Sequence, residues 1–413
     1  MKRISILIAA AALFAGTAVT AQETTSPKFK PYGFIRNYAF VDTRATKSLA
    51  EDIFFFIPLD EKIVNGQDVN AVPSFNFQAI STRLGLDISG YQVGNTKIGG
   101  KIEADFYCLN SSGNTGTLRM RQAYVDLIWE GSSLRIGQAW HPLAADLVHG
   151  INLETGAPFT PFNRSAQIMY NLSFSKNAAL QTGFIQQLQY RSAGPDGSSN
   201  KYQRHAFPEF YLGMNFNAGP FLWRVGADVL GIRPRYGYSA EGRKYDELLT
   251  TLNLFTFFQY TKGMVQVKAK SVLAQAGEHM QLNGGYAVTG LKSDGFSREY
   301  APINSSVSFV SVSVGKKIQG LGMIGYQKNL GMSRAYDHNV GGVYFSGNGY
   351  SNINQMVRFT PTVMYNLGKM QFALEYDMTM VQYAKELNEY LLPTGGLHWV
   401  TNNRLLLMAK LNF

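Results

Sequence analysis

From residue 30 onward the chain alternates apolar and polar positions with a period of two, and a helical period is hard to find. Between Ile80 and Ile88, Leu84, Leu86 and Ile88 fall on one side, with Arg83, Gly85 and Asp87 on the other. Phe372 to Met378 repeats this with Glu375 and Asp377 on the polar side, and Trp223 to Val229 does so with Arg224 and Asp228. The segments run ten to fourteen residues, about what a tilted strand needs to cross a bilayer. Sixteen strands are predicted, starting near residues 29, 75, 96, 117, 133, 166, 178, 207, 221, 248, 263, 304, 321, 353, 369 and 401.

Alternation alone also fits a soluble sandwich. The connections decide between them. Every second one is short, near 92–95, 130–132, 175–177, 217–220, 261–263, 316–320 and 366–368, where Gly, Asn and Lys recur. The alternate ones are long and polar: 44–74, 140–165, 190–206, 231–247, 275–303, 329–352 and 383–400, with one brief exception near 110–116. Such sorting is what a membrane barrel shows. The expected fold is all-β: a 16-stranded antiparallel transmembrane β-barrel with short periplasmic turns and long extracellular loops. Tyr32, Tyr91, Trp129, Phe216, Phe221, Tyr260 and Tyr365 lie near strand ends, where rings suit a headgroup boundary.

The N-terminus explains how such a chain reaches its membrane. Lys2 and Arg3 precede an apolar run from Ile4 to Phe14, and Val19-Thr20-Ala21 offers a cleavage site. Residues 1–21 read as a cleaved signal peptide, leaving 22–413 as one outer-membrane barrel domain of the Gram-negative type. The last strand ends on Phe413, resembling the C-terminal signal that outer-membrane assembly machinery reads. Cys108 is the only cysteine, so no disulfide supplies stability and the closed ladder must.

The formal charge is +10, and removing Lys2 and Arg3 leaves +8. A basic exported barrel favours anionic solutes; nucleic acid is excluded by compartment. If apolar faces meet lipid, Arg83, Lys101, Glu103, Asp105, Arg119, Arg121 and Arg135 line the lumen from four adjacent strands. Five cations against two carboxylates make a wall that either attracts anions or braces the barrel through ion pairs such as Arg119 or Arg121 with Glu103 or Asp105. This placement puts Gln122 and Asp126 outside, which a β-bulge or a subunit interface would resolve. The outward set of the first strand, Gly33, Ile35, Asn37, Ala39 and Val41, is mostly small and suits packing between barrels, so a homotrimer is expected.

The loop 141–165 is the candidate constriction: its Asp146 and Glu154 are expected to face the basic wall. The six histidines fall in the long loops or at their edges, and His141 and His149 lack the spacing of a helix-borne zinc pair. No catalytic residue, metal site or cofactor is predicted. The expected function is a water-filled porin. Two other readings stay open: a plugged barrel acting as a surface adhesin or receptor through its long loops, and an outer-membrane hydrolase.

Four segments resemble the DcaP-like trimeric outer-membrane porins: Ser81 to Leu86, Ile102 to Phe106, Leu118 to Val125, and Ile136 to Trp140. Their order matches the second to fifth strands of such porins. The resemblance is clearest over residues 75–170. It implies a sixteen-stranded trimer with an arginine-rich constriction passing small anions such as dicarboxylates, with Arg83, Arg119, Arg121 and Arg135 as the basic wall. Some members carry an extended periplasmic helical segment; here the first strand is expected within about ten residues of the cleavage site, leaving assembly to the barrels.

Overall fold

The structure is a computed structural model describing residues 23–413 apart from 50–51, 111–112, 153–155, 188–192, 196–205 and 346–350. The signal segment 1–21 and Glu154 therefore lie outside the described residues. The chain forms β1 (Glu23–Asp42), β2 (Ser74–Gln78 and Arg83–Val93), β3 (Thr96–Asn110), β4 (Gly113–Trp129), β5 (Ser132–Trp140), β6 (Arg164–Ser175), β7 (Ala178–Gln186) and β8 (Glu209–Ala218). It continues with β9 (Phe221–Ile232), β10 (Leu249–Lys262), β11 (Val265–Gln275), β12 (Asn304–Gly315), β13 (Ile318–Gly331), β14 (Ile353–Leu367), β15 (Met370–Tyr383) and β16 (His398–Asn412). Each strand pairs antiparallel with its chain neighbours, and β1 pairs with β16 from Phe34 opposite Asn412 to Asp42 opposite Arg404. The sixteen strands thus close on themselves. Closure leaves no open edge, so the backbone is satisfied without water.

The faces sort as the period-2 pattern requires. Along β16, Leu405 and Leu407 are exposed, while Arg404, Leu406 and Met408 are buried. The exposed face of the barrel is a band of Leu, Ile, Val and Phe, which fits lipid. At one end, seven connections are two residues long, at 94–95, 130–131, 176–177, 219–220, 263–264, 316–317 and 368–369. Gly94, Gly131, Gly219, Gly263 and Gly368 hold φ between 55° and 73° there, a region open mainly to glycine and favoured in tight hairpins. All the long connections lie at the other end.

Two departures from simple alternation occur near the lumen. The second strand breaks at 79–82, although the sequence reads as continuous through Ile80 to Ile88. Side-chain oxygens replace the ladder there: Arg36 donates its backbone N–H to Thr82 Oγ1 (3.3 Å) and its Nε–H to Ser81 Oγ (3.0 Å). In β4 the register shifts, with Glu103 opposite Gln122 and Ala104 opposite Met120, so Arg121 is an extra residue. This is a β-bulge. It turns Gln122 and Asp126 inward, and the outward placement of both is corrected.

The interior is packed by the long loops. A hairpin, Thr46–Leu49 against Phe54–Pro58, enters the barrel, and Phe54, Phe56 and Ile57 are buried with Ala157, Phe159 and Phe162 against Ile353, Met356, Val381 and Val400. Buried arginines hold it. Arg358 donates to Thr379 Oγ1 (2.7 Å) and to the carbonyls of Ala157 (3.0 Å) and Phe56 (2.9 Å). Arg404 grips Asp42 with two hydrogen bonds (2.9 and 2.7 Å) and the Asp52 carbonyl at 2.8 Å. Its guanidinium carbon lies 4.2 Å from the Phe40 ring centroid. Replacing Arg404 with Leu strands the buried Asp42 carboxylate. The expected cost is about 3–5 kcal/mol, seen as a lower unfolding midpoint in detergent; an unchanged midpoint would show the pair to be dispensable.

Candidate functional site

The inward faces of β1 to β5 carry most of the residues that alternation places in the lumen. They border an open cavity of about 660 Å³ lined by Arg36, Ser81, Arg83, Glu103, Asp105, Arg119 and Arg121, with Phe54 and Phe162 opposite. The charges are interlocked rather than free. Arg119 makes two parallel bonds to Asp105 (3.0 and 2.9 Å). Arg121 bridges Glu103 (2.7 Å) and Asp105 (2.6 Å). Bidentate and bridging arginines fix both carboxylates in orientation. The bulge makes this possible, because the extra residue lets Arg121 and Gln122 both face Glu103; Gln122 Nε2 donates to it at 3.3 Å.

Arg83 stands 4.0 Å from Glu103. Around it the wall is strongly cationic: Arg83, Arg36 and Lys410 lie 4.9, 4.7 and 4.5 Å from the centroid of one ring, that of Phe34. The ring quadrupole offsets part of the mutual repulsion of the three cations. Lys101 pairs with Asp87 (2.7 Å) and donates to Tyr32 Oη (3.0 Å), which in turn donates to Glu103 (3.0 Å). Tyr32 therefore points into the lumen and is not part of an aromatic girdle. Phe221 and Tyr260 do sit together at the outer face, with ring centroids 5.0 Å apart. Arg135 is apart from the cluster: it makes two bonds to Asp126 (2.8 and 2.9 Å) and stacks on Tyr124 at 3.8 Å.

Residues 141–152 and 156–163 run inside the barrel along the opposite wall. The Glu375 carboxylate accepts the backbone N–H groups of Ile151 and Asn152, each at 2.7 Å. Tyr38 Oη donates to the Ile151 carbonyl at 2.8 Å, and Lys268 Nζ to that of Leu147 at 2.8 Å. Asp146 does not face the β2–β5 wall. It pairs with Arg224 of β9 and with Lys270 of β11 (3.0 Å). Those two cations lie nearer the root of the segment and capture its carboxylate, holding it below the usual carboxylate range despite its burial. The inward acid the sequence suggests thus neutralises the far wall.

A second polar cluster escapes sequence reading altogether. His141, at the root of the inward segment, lies with Glu209 of β8 and Asp228 of β9, and all three are buried. His141 Nε2 is 2.6 Å from Glu209 Oε1, and its Nδ1 accepts the Leu143 N–H at 3.1 Å. His279, from the loop after β11, places Nε2 3.9 Å from the same Glu209 oxygen. Burial pushes His141 down to about 4 and His279 to about 3, so both rings are neutral. One ligand atom each from His141, Glu209 and Asp228 lies within 4.8 Å of the others, a spacing that can hold a metal ion. Residues this far apart in the chain form no local motif.

Residues 15–185 match the family model for the DcaP outer membrane protein. No curated protein sequence matches the chain. Among solved structures, the barrel is similar to the outer membrane channel DcaP of Acinetobacter baumannii, with a TM-score of 0.66, 17% identity, and 94% and 97% of the two chains covered. It is similar also to the anion-selective porin from Comamonas acidovorans (TM-score 0.56, 12% identity, 94% and 100% covered). A trimer form of OmpT, an outer membrane protein of Vibrio cholerae, follows (TM-score 0.51, 12% identity, 94% and 99% covered). Strand motifs, barrel and family match agree: residues 15–185 match the DcaP outer membrane protein family model, and the chain as a whole has the fold of a porin-like β-barrel.

Proposed function

We propose that the protein is a diffusion channel of the outer membrane that favours small anions such as dicarboxylates. The observation that carries this reading is the cavity beside β1 to β5, where four guanidiniums, Arg36, Arg83, Arg119 and Arg121, face two carboxylates, Glu103 and Asp105. The net excess is two positive charges before Lys410 is added. In a narrow lumen with low-dielectric walls, such an excess concentrates anions. The ion pairs do not cancel it; they hold the guanidiniums rigid, so part of each fork faces the cavity. Residues 141–152 and 156–163, with the paired segments 46–49 and 54–58, narrow the passage from the other side. That a solved neighbour is described as anion-selective is consistent with the charge balance.

A second reading draws on the packed interior. Phe54, Phe56 and Phe159 fill the lumen beside β14 to β16, and a fully plugged barrel would act as a surface receptor through its loops. Conductance separates the two. In planar bilayers under a salt gradient, the wild type is expected to conduct and to show an anion-selective reversal potential. Arg119→Ala and Arg121→Ala should move the reversal potential toward zero; cation selectivity in the wild type would overturn the anion reading. Absence of conductance would leave the receptor.

We also infer a homotrimer. The outer face of β1 joins a shallow groove of about 1490 Å³ lined by small and apolar residues, among them Ala39, Phe77, Val363, Leu374, Leu407 and Ala409. Small residues permit close approach between barrels. Native mass measurement should read three chains. Ala39→Phe, which lipid would tolerate, should lower the trimer fraction while the barrel stays folded; an unaltered trimer would place the interface elsewhere.

A further inference from the structure

The rim formed by the short turns carries charge of one sign over most of its length. The five turns from β6 to β15, taken with the residues beside them (173–179, 216–222, 259–267, 313–320 and 366–371), hold Lys176, Lys262, Lys316, Lys317 and Lys369 and no aspartate or glutamate. All five lysines are exposed. Among the described residues, none of Lys176, Lys262 and Lys316 forms an ion pair. The turn between β4 and β5 carries Glu130 instead. A row of exposed like charges repels itself unless an anion lies beside it.

The strand parity says where that anion lies. On β6 the exposed face runs through Ile168, Tyr170 and Phe174, and Lys176 is the next position but one. On β10 it runs through Leu254, Phe258 and Tyr260 to Lys262, and on β12 through Val310, Val312 and Val314 to Lys316. Each lysine thus stands two residues beyond the last apolar or aromatic side chain of a column that faces lipid. Two residues of strand span about 7 Å, and the headgroup layer is about 5–7 Å thick on each side of the hydrocarbon. The ammonium groups therefore lie at headgroup depth, beside the bilayer rather than below the barrel mouth. Lys317 keeps to the same surface, 5.7 Å from the centroid of the exposed Tyr365 ring. Lys176, Lys262 and Lys316 stand outside the β1 and β14–β16 groove assigned above to the trimer, so in that assembly they still meet lipid.

We propose that Lys176, Lys262 and Lys316 form a collar that binds phospholipids of net negative charge in the leaflet at the short-turn end. In outer-membrane barrels the short turns face the periplasm, so this is the periplasmic leaflet. The aromatic and aliphatic columns take the acyl chains, and each ammonium takes a headgroup phosphate. A zwitterionic headgroup brings its own cation to the same place and cancels part of the attraction; an anionic one does not. The collar fixes the depth of the barrel at one end and draws a shell of anionic lipid around β6 to β13. This proposal is independent of the solute the channel carries.

The test is native mass spectrometry of the full-length protein purified from membranes in detergent and offered phosphatidylglycerol and phosphatidylethanolamine at equal concentration. At low ionic strength the wild type should retain phosphatidylglycerol in preference, about fivefold for a lipid held by one lysine, and the preference should fall as salt is raised. Combining Lys176→Gln, Lys262→Gln and Lys316→Gln should lower the ratio at least twofold. Combining Lys176→Arg, Lys262→Arg and Lys316→Arg should keep it. Gel migration of the unheated protein checks that each variant barrel is folded. A wild-type ratio near one overturns the proposal, and so does a ratio that the glutamine variant leaves unchanged, since the preference then belongs to another surface. Sedimentation with purified murein sacculi supplies the remaining arm. If the wild type shows no lipid preference but binds sacculi through these lysines, the collar is a cell-wall contact and the lipid reading is wrong.

Discussion

The ladder between β1 and β16 is the constraint on which the rest depends. A strand facing hydrocarbon has no water to bond its N–H and C=O groups, so every one must find a partner in a neighbouring strand. Nine paired positions, from Phe34 with Asn412 to Asp42 with Arg404, join the first strand to the last. Once closed, the barrel has an inside and an outside, and the period-2 pattern acquires its meaning. Arg404 shows the coupling: it is the ladder partner of Asp42 and also its ion-pair partner, so the seam is locked by side chains as well as by backbone.

Inside, the chain faces the opposite difficulty. Charged groups that could not face lipid are crowded into a narrow space with each other and with two inserted segments. Two devices handle them. On the β2–β5 wall, carboxylates alternate with arginines across strands, and Glu103 and Asp105 are each shared by two arginines. On the other wall, cations and acids are used as donors and acceptors for loop backbone: Lys268, Arg358 and Arg404 bond carbonyls, and Glu375 takes two N–H groups. The same charges that would be ruinous in a dry wall become the fasteners for the loops.

The barrel itself is readable because its signal is repeated at every strand. Strand starts fall within four residues of the expected ones, since each is marked by a turn and by alternation, except that the first begins at Glu23 rather than near 29. The ion-paired face with Arg83, Glu103, Asp105, Arg119 and Arg121 is separated by the same alternation from Leu84, Ile102, Leu118 and Met120, which are exposed on the other face. What alternation cannot reveal is where it fails. The break at 79–82 depends on Arg36, from another strand, finding Ser81 and Thr82. Strict pairing puts Gln122 and Asp126 on the outer face because a bulge is invisible in such a pattern, and the misplaced polar residues are the trace it leaves. Asp146 pairs with Arg224 and Lys270 and not with the β2–β5 wall, because loop paths are set by contacts in space that alternation does not encode. The His141, Glu209, Asp228 and His279 cluster draws on four separate elements and has no local signature.

The bulge at Arg121 acts like a frameshift in a two-letter code. Before it, even-numbered residues of β4 such as Leu118 and Met120 face out; after it, odd-numbered ones such as Ala123 and Val125 do. Any assignment of lipid-facing and lumen-facing positions in a relative must therefore be reset at this residue. A relative lacking the insertion would present a different set of side chains beyond it, though its sequence differed in length by only one. Arg121, which bonds both Glu103 and Asp105, is also where the chain changes its phase.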